Sequence, residues 1–141
     1  MNLSRRQALA LGGAVITVSL LPVDLAHAAS DQSNEAIAAF TGGADIGEGN
    51  LELTTPEIAE NGNTVPIAVS ASGAVSVLIL ADGNPSPGVA TFHFGEMAEA
   101  SASTRIRLAG TQSVIAVAKM ADGSFIQAAR SVKVTIGGCG G

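Results

Sequence analysis

Two stretches of this chain, Ala74–Ala81 and Val114–Met120, carry almost no polar side chains: Ser76 interrupts the first and Lys119 the second. Both are too short for a buried helix and rich in β-branched residues, so they read as strands. A strand that is apolar at nearly every position has to be covered on both faces, which places it centrally in a layered β structure. Around them the pattern has period two. Leu51 and Leu53, then Val65, Ile67 and Val69, recur at every second position; Phe92 and Phe94 alternate with Thr91 and His93; Ile106 and Leu108 alternate with Arg105 and Arg107. A last stretch runs from Phe125 to Ala129 and on through Val132, Val134 and Ile136, expected inward against Lys133 and Thr135.

Turn chemistry separates these runs at Asn61-Gly62, at Asp82–Gly88 with its Asn84-Pro85-Ser86-Pro87 core, and at Asp122-Gly123, a hairpin signal. Pro66 marks an edge or a bulge, and the acidic, Ala/Ser-rich stretch Glu96–Ser103 reads as a crossover. Before the strands, Asn34–Phe40 predicts a helix of at most two turns, capped by Asn34 and stopped by Gly42-Gly43. Seven or eight short strands at regular spacing, with no internal repeat and no linker, give one all-β domain, an immunoglobulin-like antiparallel sandwich. Its paired apolar faces exceed what a monomer tolerates, so a partner interface is expected on the sheet containing Ala74–Ala81 or Val114–Met120.

The N-terminus reads as an export signal over residues 1–28: Arg5-Arg6, an uncharged apolar run from Ala8 to Leu21, then Ala26-His27-Ala28 with cleavage after Ala28. The run is shorter than the roughly 20 residues that span a bilayer, so no stable membrane anchor is expected. Ser4-Arg5-Arg6 resembles the twin-arginine signal, with Ala8 where Phe is usual; a general secretory signal is the alternative. Either route places the mature chain in the periplasm, and the twin-arginine route carries folded cargo.

A formal net charge of −5 argues against nucleic acid. The single Cys excludes an intramolecular disulfide framework, and two His leave little for a metal cluster, so no metal site is expected. That one thiol lies in Gly137-Gly138-Cys139-Gly140-Gly141, after the last strand. Five residues with one side chain among them have nothing to pack, so Cys139 is expected to be displayed on a flexible arm reaching about 10 Å beyond Ile136. A free thiol is only a few per cent thiolate at neutral pH, and an enzymatic nucleophile needs a base and rigid support. The sequence offers neither near Cys139, which points to an attachment site worked on by other proteins.

The terminal Gly137–Gly141 motif, the twin-arginine start, the run Pro56–Pro66, the segment Ser103–Arg107 and the strand series closely resemble the SoxY family, sulfur-carrier subunits of the periplasmic thiosulfate-oxidising system. The resemblance implies a carrier and not an enzyme, with no cofactor of its own and with pathway intermediates attached covalently to Cys139. It implies a heterodimer with SoxZ. The partner enzymes it implies are a c-type cytochrome (SoxXA) that couples thiosulfate oxidatively to the thiol, a dimanganese thiosulfohydrolase (SoxB) that releases sulfate and, where that branch exists, a sulfane dehydrogenase (SoxCD).

Other features weigh less. Arg105 and Arg107 form a solvated face or an anion or partner contact; His93 reads as a surface residue; the Asn84–Pro87 loop reads as a rigid turn that a partner could also touch; Met97 and Met120 read as packing. The competing reading of the whole is an exported immunoglobulin-like binding module whose Cys139 tethers it or forms an intermolecular disulfide.

Overall fold

The computed structural model describes residues 30–136, and the elements of the fold follow from the patterns above. Helix α1 spans Asp31–Thr41 and is followed by nine strands: β1 (Ile46–Gly47), β2 (Glu52–Thr54), β3 (Ile58–Ala59), β4 (Val65–Ser70), β5 (Ala74–Ala81), β6 (Gly88–His93), β7 (Ser101–Ile106), β8 (Gln112–Met120) and β9 (Phe125–Val134). They form an immunoglobulin-like sandwich. One sheet has the order β1-β9-β8-β5-β6, with β3 also on β9; the other has the order β2-β4-β7. The expected signal (1–28, with Arg5, Arg6 and Ala28) and the arm (137–141, with Cys139) lie outside the described residues.

The doubly apolar strands occupy the centre of the larger sheet, β5 between β8 and β6 and β8 between β5 and β9. Alternation sends one set of side chains to each face. Val77, Ile79, Ala81, Val114, Ala116 and Ala118 point into the sandwich, where they meet Leu53, Val65, Ile67, Val69, Ile106 and Leu108 of the second sheet and its flanks. Leu78, Leu80, Ile115 and Val117 point the other way and pack with Phe125 under Ile37 of α1, with Ala36, Phe40 and Ile46 at the margin. The rings of Phe40 and Phe125 meet edge to face at 5.9 Å. α1 itself covers the outward apolar face on which the expectation of a partner interface rested, because its Ile37 and Phe40 share one side of the helix.

The helix is longer than the sequence pattern suggested. Its cap is Ser30, not Asn34: the Ser30 side chain accepts from Ser33 N, and Asn34 N donates to Ser30 O, so Asn34 is already helical. Asp31 sits in the first turn, where a carboxylate favours the helix dipole. Gly42, left-handed at φ 67°, ends the helix as expected.

Three further expectations shift. Pro66 lies in β4, the middle strand of its sheet, but β2 covers only residues 68–70 of that strand. One edge is therefore open at Pro66, where the missing N–H is tolerated. The stretch read as a crossover is a loop only as far as Ala100, and Ser101–Ser103 belong to β7. Met97 does not pack: it is fully exposed at the loop tip, whereas Met120 rests against the core.

The β8–β9 hairpin turns at Gly123, with φ 85°. Asp122 accepts from both the backbone N and the hydroxyl of Ser124, at 2.9 and 2.6 Å. These bonds hold its carboxyl below the usual carboxylate range. A carboxylate with a lowered folded pKa contributes stability above its unfolded value, and that contribution is lost as pH falls through the folded value. Asp122→Ala is accordingly expected to lower the melting temperature slightly at neutral pH. The difference from wild type should vanish in melts recorded well below the ordinary Asp pKa of about 3.9.

Candidate functional site

The strand leading to Cys139 is β9, and its last residues are held on both sides. On one side β3 runs parallel to it, with Ile58 opposite Lys133 and Ala59 opposite Val134. Lys133 N donates to Glu57 O and Thr135 N to Ala59 O, while the Thr135 hydroxyl reaches Glu60 O at 3.2 Å. On the other side, Thr111 accepts from Val134 N at 3.0 Å. Ile136, the last described residue, is held as well: its carbonyl accepts from Gly62 N at 2.8 Å. Its side chain, expected inward, is instead exposed. The strand has ended at Val134, the inward alternation ends with it, and the bond to Gly62 steers only the backbone of residue 136.

Gly62 also accepts from Leu108 N at 2.7 Å, so one buried glycine ties the end of β9 to the segment after β7. That segment is clamped a second time by Asn84, whose Nδ2 donates to Arg107 O at 2.7 Å. Asn84 Oδ1 accepts from Ala109 N and from Gln112 Nε2, both at 2.9 Å. Gln112 in turn donates to Gly110 O and accepts from Gly83 N. Gly83 is required there, since a Cβ would stand 2.8 Å from the Gln112 Cβ. Asp82, the first residue of the same loop, accepts from Ser30 N at 2.7 Å and so brings the start of α1 to this pole.

The two arginines are separated by this arrangement. Both are exposed, but Arg105 lies opposite Pro66 within β7. Arg107 lies beyond the strand, and its Nε donates to Asn63 Oδ1 at 3.3 Å, beside the glycine that holds Ile136. His93 is exposed at the opposite end of the sandwich, at the last position of β6. Among the described residues no group of three or more His, Cys, Asp or Glu side chains could hold a metal ion. No helix of the described residues is long and apolar enough to cross a membrane. Asn84 and Gln112 were not singled out by sequence reasoning: the Asn84–Pro87 loop looked like a rigid turn, and its clamp on residues 107–112 is a long-range contact that no local spacing reports.

Comparison with known proteins places this geometry. The family model for the sulfur oxidation protein SoxY matches residues 37–139, from α1 through Cys139. The structure of the sulfur carrier protein SoxY from Chlorobium limicola f thiosulfatophilum is similar at 38% identity, with 74% of this chain and 97% of that chain covered and a TM-score of 0.66. A superoxide reductase (neelaredoxin) from Ignicoccus hospitalis overlays at a TM-score of 0.54, with 14% identity over 61% of this chain and 80% of that one, a likeness of fold alone. No curated protein matches the sequence.

Removing the Asn84 clamp breaks the part-buried bond to Ala109 N and hands the exposed Arg107 O to water, at a cost of about 1 kcal/mol. Asn84→Ala is expected to lower stability by that amount in urea unfolding. Amide exchange at Ala109 should accelerate more than exchange at Ile79 in the core.

Proposed function

The chain belongs to the SoxY family of sulfur oxidation proteins, and is a sulfur-oxidation carrier; from that membership we propose that it holds pathway intermediates covalently on Cys139 and presents them to successive partner enzymes. The observation that carries the proposal is the family match running through Cys139, three residues after Ile136, which is hydrogen-bonded to Gly62 just beyond β9. Three residues extend to about 10 Å, enough to put a thiol inside a partner's channel while Ile136 stays anchored.

The chemistry asks little of the carrier and much of its partners. Coupling the thiol to thiosulfate forms R–S–S–SO3⁻ and releases one proton and two electrons, which the c-type cytochrome partner takes up. Attack of water on the terminal sulfone by the hydrolase releases sulfate and two protons and leaves R–S–S⁻. Where a sulfane dehydrogenase acts, it removes six electrons while three waters supply oxygen and six protons leave, giving R–S–SO3⁻. A second hydrolysis then returns the thiol and releases sulfate. Covalent attachment keeps every intermediate from diffusing away between these steps.

The heterodimer partner SoxZ and periplasmic localisation belong to the same proposal. Arg5-Arg6 with cleavage after Ala28 supports export of a folded pair. Intact-mass spectrometry of the protein recovered from cells oxidising thiosulfate tests these points together. The expected species has lost residues 1–28 and carries sulfur-containing adducts on Cys139. Cys139→Ser is expected to abolish thiosulfate oxidation and leave the fold unchanged by circular dichroism. An unmodified thiol under turnover, or normal oxidation by Cys139→Ser, would refute the carrier reading in favour of a tether.

A further inference from the structure

We propose that β6 is a docking edge for a second copy of this chain, with two molecules joined β6 to β6 about a two-fold axis that passes beside Phe92. The inference goes beyond the carrier reading and does not depend on Cys139. Among the described residues β6 ends the larger sheet and pairs on one side only, with β5. The other edges are covered or blunted: β1 and β3 lie on β9, β2 is three residues long and carries Glu52, and β7 carries Arg105. By contrast, Ala90–Phe94 holds no Lys, Arg, Asp, Glu or Pro, the residues that commonly keep a strand edge from pairing.

The backbone dictates the register. Phe94 N donates to Val75 O, so Phe94, Phe92 and Ala90 turn their backbone groups toward β5, and alternation leaves those of Thr91 and His93 facing away from the sheet. Val89 is the extra residue of a bulge opposite Ile79 and Leu80, which ends the regular edge at Ala90. Antiparallel pairing that uses both outward residues therefore sets Thr91 of one copy opposite His93 of the other, on either side of the axis, and Phe92 opposite Phe92. The core-side face is then self-complementary: the half-buried Phe92 rings meet at the axis, and the small Ala90 stands opposite Phe94.

Charge favours the same arrangement. In one molecule the exposed Glu96 and Glu99 lie just beyond the end of β6, whereas the exposed Arg105 is near the far end of β7. The start of β6 shares the arginine end, because Pro87 O accepts from Ala81 N and Asn84 of the same loop donates to Arg107 O. The two-fold brings the acidic loop of each copy to the level of Gly88 in the other, so acids approach the arginine end; a parallel arrangement would set acid beside acid. An edge of this length makes a small interface, in the range of weak and reversible association.

Sedimentation velocity on the processed protein carrying Cys139→Ser, which removes any disulfide dimer through that thiol, is expected to show a monomer–dimer equilibrium. Thr91→Pro deletes an outward N–H in each copy, and with it half of the new backbone bonds, while the ladder to β5 uses the neighbouring residues. It should raise the dissociation constant about thirtyfold with the β signal in circular dichroism unchanged. Arg105→Glu should raise it about fivefold, and adding Glu96→Lys and Glu99→Lys should restore it. Cross-linking reads the register without Thr91→Pro: Thr91→Cys and His93→Cys, each with Cys139→Ser, are mixed with oxidised glutathione, which takes up the two electrons and two protons of each new disulfide as two reduced glutathiones. The two variants should link to each other several times faster than either links to itself. A monomer at all concentrations to about 1 mM, cross-linking without that preference, or Thr91→Pro that releases SoxZ and leaves self-association unchanged overturns the proposal. Each of these results leaves the attachment role of Cys139 standing, because that role is read separately from adduct masses.

Discussion

The structure depends on covering β5 and β8 on both faces. An eight- or nine-residue strand that shows apolar side chains to either side is stable only inside three layers, and the chain supplies all three: the β2-β4-β7 sheet, the larger sheet itself and α1. Fully burying one such side chain contributes about 1.5–3 kcal/mol, so the burial of Val77, Ile79, Leu80, Val114 and Val117 sets the order of the central strands. The connections then fall into place. β9 closes against β8 through the Asp122-Gly123 turn, and its free edge is capped by β1 at one end and β3 at the other. An uncovered strand edge would otherwise invite pairing with another chain.

From that frame the arm pole acquires its precision. The segment that precedes the Cys139 motif is fixed by a set of hydrogen bonds. Gly62 links Ile136 to Leu108, while Asn84 links the loop after β5 to the segment after β7. Polar clamps are suited to this task because they fix direction, whereas the apolar core fixes only proximity. They also set Arg107, whose carbonyl Asn84 holds, apart from Arg105 within β7.

Much of this was legible in the residues. Period-two alternation located β2, β4, β6, β9 and the end of β7, the two uninterrupted apolar runs located β5 and β8, and Gly42 and Asp122-Gly123 marked a helix stop and a hairpin. These signals are local, so a single chain displays them. Other features were not legible, for stated reasons. Ser30 caps α1 in place of Asn34 because a capping oxygen four residues earlier also found Asp82, 52 residues away, for its backbone N–H. The outward apolar face looked like a partner interface because nothing in the periodicity of α1 says which surface it will cover. Ile136 continued the inward alternation in sequence, but its strand had ended at Val134.

The sequence by itself determined the class of fold, the central strands and a lone thiol among glycines, because side-chain period and glycine content are properties of consecutive residues. Only the tertiary structure decided that α1 closes the second apolar face and that Asn84 and Gly62 clamp the root of the arm. It also decided that Arg107, not Arg105, stands beside that root. Each of those outcomes joins residues 20 or more apart along the chain, and contacts at that separation are selected by packing and hydrogen-bond satisfaction in three dimensions.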